Sequence, residues 1–134
     1  MMDKIRRAGC ALMLSAAAVS AQTTVPTEVG LNGVSTVTLH LQPFLTPEEL
    51  ATLRVVATDA SALSLFVPGS TGFAAIAAAP DDGFVRGGVP VASAQALADF
   101  PDAAAAASAV LGACDALRKG LQPCVLVLEV APAK

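Results

Sequence analysis

Across residues 36–42 apolar and polar positions alternate: Val37, Leu39 and Leu41 fall on one side, Thr36, Thr38, His40 and Gln42 on the other. A period of two predicts a half-buried strand, with His40 pointing away from the core. The pattern then changes at Leu45-Thr46-Pro47-Glu48-Glu49-Leu50. Thr46 suits a helix cap, Pro47 the first turn and Glu49 the capping-box partner, while Leu45 and Leu50 are spaced for an apolar staple. The helix is expected to reach about Ala57, with Leu50, Leu53 and Val56 or Ala57 turned inward. Residues 59–72 carry an apolar stretch from Leu63 to Val67 and then the breakers Pro68, Gly69 and Gly72, which predicts a loop with room for a short strand.

Residues 73–79 are alanine-rich and predict a strand on which a helix can lie close. Pro80-Asp81-Asp82-Gly83 supplies turn chemistry, and residues 84–91 are expected to return as the second arm of a hairpin. Gly87, Gly88 and Pro90 weaken that arm, which places it at the sheet edge. After a polar connection, Asp99-Phe100-Pro101-Asp102 opens a long helix to about Arg118, with Ala103, Ala107, Val110, Cys114 and Leu117 on its inner face. Arg118 and Lys119 complement its C-terminal dipole, and Gly120 before Leu121 fits a left-handed C-cap. Residues 125–130 form the last strand.

The elements run strand, helix, strand, strand, helix, strand. This predicts a small α+β domain over residues 34–134, mainly an antiparallel sheet with two helices on one face. A βαββαβ order admits a ferredoxin-like arrangement. Residues 22–33, with Pro26, Gly30 and Gly33, are expected to be a flexible lead-in.

The N-terminus changes the picture. Lys4, Arg6 and Arg7 precede an apolar run over residues 8–21 that ends in Val19-Ser20-Ala21, the layout of a secretory signal peptide cleaved before Gln22. The run is shorter than the roughly 20 residues of a spanning helix, so no stable membrane insertion is expected after cleavage. Ala8-Gly9-Cys10 resembles the end of a lipobox, yet Arg7 stands where an apolar residue belongs. Taking those 21 from 134 residues leaves 113, enough for one core. The mature chain keeps five basic and ten acidic residues, a net charge of -5 that disfavours nucleic acid. An exported chain left with Cys114 and Cys124 is expected to pair them, a bridge worth about 3 kcal/mol.

Candidate chemistry is sparse. Zinc needs four ligands and the chain has one histidine, so no metal site is expected. A catalytic triad would have to use His40, and no Gly-x-Ser-x-Gly elbow accompanies it. Asp81 and Asp82 lack the spaced oxygens of a calcium loop and read as a turn. Gly69-Ser70-Thr71-Gly72 has no Gly-Lys-Ser/Thr continuation and is not a phosphate cradle. Glu48, Glu49, Asp99 and Asp102 sit at the two helix starts, where acids serve capping.

From about Leu45 onward the chain resembles a family of small exported bacterial proteins of uncharacterised function. The resemblance is carried by Leu45-Thr46-Pro47-Glu48-Glu49, by Gly72-Phe73-Ala74-Ala75-Ile76-Ala77 running into Pro80-Asp81-Asp82-Gly83, and by Ala113-Cys114-Asp115-Ala116 followed by Arg118-Lys119-Gly120 and Pro123-Cys124-Val125. Some sequences of this kind carry the name 5-aminolevulinate synthase. That chemistry needs a Schiff-base lysine and a large domain around pyridoxal phosphate, whereas the mature chain offers only Lys119 and Lys134. No cofactor is therefore expected. The reading is a non-catalytic binding or structural module of the bacterial envelope, periplasmic or secreted, touching a protein or small ligand through the edge at residues 84–91. The alternatives are a small enzyme using His40 and a purely structural role.

Overall fold

The computed structural model describes residues 25–67 and 72–132. The leader, Cys10, the Gly69-Ser70-Thr71 segment and Lys134 lie outside them. The chain forms β1 (Thr27–Asn32), β2 (Ser35–His40), α1 (Pro47–Thr58), α2 (Ala60–Phe66), β3 (Phe73–Ala78), β4 (Val85–Arg86), β5 (Val89–Pro90), β6 (Gln95–Phe100), α3 (Ala103–Leu117) and β7 (Val125–Ala131). Five strands make one antiparallel sheet in the order β1-β2-β7-β3-β6, and β4 and β5 form a separate hairpin.

The α+β class, the antiparallel sheet and the Cys114–Cys124 disulfide are as the sequence predicts. Other features differ. Residues 27–32, expected as a flexible lead-in, are β1, joined to β2 by Gly33 and Val34 with Asn32 opposite Ser35. Gly33 takes a φ of 65°, the left-handed conformation a two-residue hairpin loop requires at its first position. Residues 60–66, expected as loop, are α2, capped by Asp59 accepting from the Ala62 amide at 2.9 Å. β3 pairs with β7 on one side and β6 on the other, not with residues 84–91, so the arm taken for a sheet edge is the small β4–β5 hairpin off the sheet. The last strand lies between the first and second predicted strands, whereas a ferredoxin-like sheet places the third there.

The helices also divide between the two faces rather than sharing one. Ala74, Ile76 and Ala78 of β3 pack with Val37, Leu39, Leu53, Val56 and Leu63 under α1 and α2. Ala75, Ala77 and Ala79 pack instead with Ala106, Val110 and Cys114 of α3. β3 is buried on both sides, which is why it reads as a continuous apolar run of small residues and not as an alternation. On α3, Ala103 and Leu117 are exposed, so the inward stripe is Ala106, Val110 and Cys114. Its C-cap is Arg118 at φ -66°, and Gly120 is not left-handed.

Candidate functional site

The buried carboxylate of Glu49 does more than cap α1. The capping box is present: the Glu49 amide donates to Thr46 Oγ1 at 3.1 Å and the Thr46 amide to Glu49 Oε1 at 2.9 Å. Its second oxygen, Oε2, accepts from the Phe84 and Val85 amides, each at 2.8 Å, and from Arg86 Nη1 at 2.7 Å. Burial alone would raise the pKa, but the Thr46, Val85 and Phe84 amides and the Arg86 charge outweigh it and hold the carboxyl below its ordinary value. Glu49 is therefore a structural anion tying the β4 loop to the start of α1. Every donor it meets is already part of the protein frame.

Asp81 and Asp82 likewise bind protein. Asp82 accepts from Ser93 Oγ at 2.7 Å and from the Lys119 and Gly120 amides at 3.0 and 3.2 Å. Asp81 accepts from the Leu121 and Gln122 amides at 3.0 and 3.2 Å. The Lys119 amide, the Ser93 hydroxyl and the Gly120 amide keep the Asp82 pKa low against a small opposing burial effect. The turn is where the sequence puts it, closed by the Gly83 amide donating to the Ala79 carbonyl at 2.8 Å, with Gly83 at φ 87°. Its carboxylates grip the loop between α3 and β7. Asp115 holds the same loop by accepting from the Cys124 amide at 2.9 Å.

Gly120 is needed here for a reason other than a helix cap: a Cβ at this position would overlap the Asp81 side chain. Gly120→Ala is expected to cost about 1–3 kcal/mol by forcing the acidic turn away from the loop. The check is urea unfolding against the parent chain.

Of the remaining acids, Asp102 caps α3 by accepting from the Ala105 amide at 2.8 Å. Asp99 lies in β6 with a φ of 71°. The acids at the starts of α1 and α3 are on opposite sides of the sheet and form no carboxylate pair. His40 faces away from the main core as expected, and its Nε2 lies 2.7 Å from Glu129 Oε2. Among the described residues no group of three or more His, Cys, Asp or Glu side chains could hold a metal, and no helix is long and apolar enough to cross a membrane.

What the sequence missed is β1. Its α3-side face carries Val29 and Leu31, 67% and 69% exposed, opposite Thr38 and Thr36. α3 lies over β3, β6 and part of β7, and among the described residues no element covers β1 on that side. On the other side Glu28 accepts a two-pronged bond from Arg54 of α1, Nε at 3.0 Å and Nη2 at 2.8 Å. A pocket of about 260 Å³ opens there between β1 and α1, with Gly30, Leu39, Ala57 and Thr58 around it and the Glu28–Arg54 pair at its rim.

The two ends of the sheet are defended differently. β6 carries an extra residue between its pairings at Leu97 and Phe100, where β3 advances only from Ala75 to Phe73, and Asp99 is left-handed within that bulge. A bulge twists an edge away from incoming strands. β1 pairs with β2 in unbroken register over all six residues and has neither lysine, proline nor bulge. The alternation Val29-Gly30-Leu31 was visible in the sequence, but Gly30 and the exposed apolar side chains gave it no buried face to read. Compared with protein-family models, curated proteins and solved structures, the chain matches none.

Proposed function

We propose that this chain is an exported, disulfide-stapled binding module of the bacterial envelope, without catalytic chemistry, that grips another protein at the outer edge of β1. The observation that carries the reading is an edge strand without bulge, lysine or proline that exposes Val29 and Leu31, in a sheet whose opposite edge is bulged. Unpaired strand edges of this kind accept a further strand, with main-chain hydrogen bonds supplying the affinity. This moves the contact surface from residues 84–91 to residues 27–32. The signal-peptide pattern of residues 1–21 supports export, and a Cys114–Cys124 bridge suits an oxidising compartment. In this reading the mature protein begins at Gln22, stays in the periplasm or is released, and engages neither nucleic acid nor the membrane interior.

A partner retained from periplasmic extract and then purified should bind the mature chain saturably in a calorimetric titration. Combining Val29→Lys and Leu31→Lys is expected to weaken that binding at least about tenfold, with stability changed by less than about 1 kcal/mol because both side chains are exposed. Saturable binding indifferent to both changes would remove β1 from the reading.

The His40–Glu129 pair favours a second reading, a small enzyme in which Glu129 orients His40 as a base. Among the described residues no hydrogen bond joins His40 to a serine, threonine or cysteine nucleophile. Loss of a measured turnover in a folded His40→Ala protein would place this reading first.

A further inference from the structure

Resting on the strand-edge reading above, we infer that the pocket beside Gly30 is a specificity subsite: it takes one uncharged, apolar side chain from an extended segment of the partner protein paired to β1. A Cβ built on Gly30 meets nothing within 4 Å, so the missing side chain leaves open space on the α1 side of the outermost strand. A strand added to β1 runs about 4.8 Å away, and the residue opposite Gly30 directs its side chain to the same face, with its Cβ about 5 Å from where one on Gly30 would stand. That side chain enters the space bounded by Leu39 and Ala57, while its neighbours along the strand fall beside Val29 and Leu31 on the other face.

Size and charge select the occupant. At about 260 Å³ the pocket is at the small end of ligand sites and open to solvent, with room for a side chain entering from a strand paired to β1. Its rim carries no net charge: Glu28 and Arg54 pair through two hydrogen bonds, so a charged guest finds no excess counter-charge there. A leucine, methionine or phenylalanine side chain matches both conditions. A second copy of this chain does not. In antiparallel pairing the residues of a second β1 that can stand opposite Gly30 on its face are Glu28, Gly30 and Asn32, none of them a large apolar side chain.

The test uses the mature chain and phage-displayed random octapeptides, with enriched sequences remade as synthetic peptides. Enriched peptides should share one large apolar residue, and changing it to Ala or Asp should weaken binding about tenfold or more. Gly30→Leu, which fills the pocket from within, should produce the same loss. Gly30→Ala, which leaves most of the space open, should retain binding and shows that loss of the glycine alone is not the cause. Thermal melts of both variants confirm folding. Peptides that bind Gly30→Leu as well as the parent, yet lose binding on Val29→Lys with Leu31→Lys, overturn the subsite and leave the strand-edge reading standing. Peptides indifferent to both sets of changes, or no enrichment at all, overturn both. A dimer in sedimentation that dissociates on Val29→Lys with Leu31→Lys makes a second copy the occupant and overturns the inference.

Discussion

Glu49→Gln is expected to destabilise the protein by about 1.5–3 kcal/mol, the usual cost of losing hydrogen bonds to a buried charged group. The carboxylate is 1% exposed and uses both oxygens: one holds the Thr46 amide, the other the Phe84 and Val85 amides and the Arg86 guanidinium. An amide side chain keeps one acceptor oxygen and turns an NH2 group toward donors, so at least one backbone N–H is left facing another donor. The β4–β5 hairpin then loses its tie to α1, and Phe84, buried against Phe66 with ring centroids 5.8 Å apart, loses its anchor. Urea unfolding measures the change. An effect below about 1 kcal/mol would mean that Glu49 is only a helix cap.

The same group sets the response to acid. Its folded pKa lies below the ordinary 4.5, so the unfolded chain takes up its proton first as pH falls. The stability it contributes is complete above the unfolded value and is lost as pH drops through the folded one. Asp82 and Glu28 are shifted in the same direction, by the Lys119 amide and by the Arg54 hydrogen bond, and add to the slope. Unfolding midpoints of the parent chain should fall steadily between pH 5 and 3, and Glu49→Gln should flatten that dependence.

Replacing both Cys114 and Cys124 by Ala is expected to lower stability by about 2.5–3 kcal/mol, from the chain-entropy estimate for so short a loop. The bridge closes a separation of 10 residues with a Cα–Cα distance of 6.1 Å, and Cys114 is fully buried between α3 and β3. The native loop is independently held by Asp81, Asp82 and Asp115. The bridge therefore acts mainly by restricting the unfolded chain, and the double variant should keep its far-ultraviolet dichroism while its urea midpoint falls. For a domain whose total stability is of order 5–15 kcal/mol, that loss is a large fraction. A parent chain whose midpoint is the same with and without reductant would show that the bridge contributes nothing.

Local chemistry made α1 and α3 legible. Thr46, Pro47 and Glu49 start α1, and Asp102 caps α3, by contacts made within a few residues. The alternation around Val37 and Leu39 likewise gave β2 its buried face. α2 was hidden because Leu63 is its one buried residue and no stripe repeats across seven positions. β6 was hidden because its residues are half-buried on both sides and its bulge breaks the period of two.

The sequence alone was enough for the starts of α1 and α3, the acidic turn, the cysteine pair and the α+β class, because each depends on neighbours in the chain or on counting residues. Which face each helix covers, the insertion of β7 between β2 and β3, the reach of Glu49 to Phe84 and Val85, and the bare edge of β1 were decided only by tertiary structure. Those features depend on contacts between residues distant in the chain and on what is left uncovered once the sheet is assembled, and no local period encodes either.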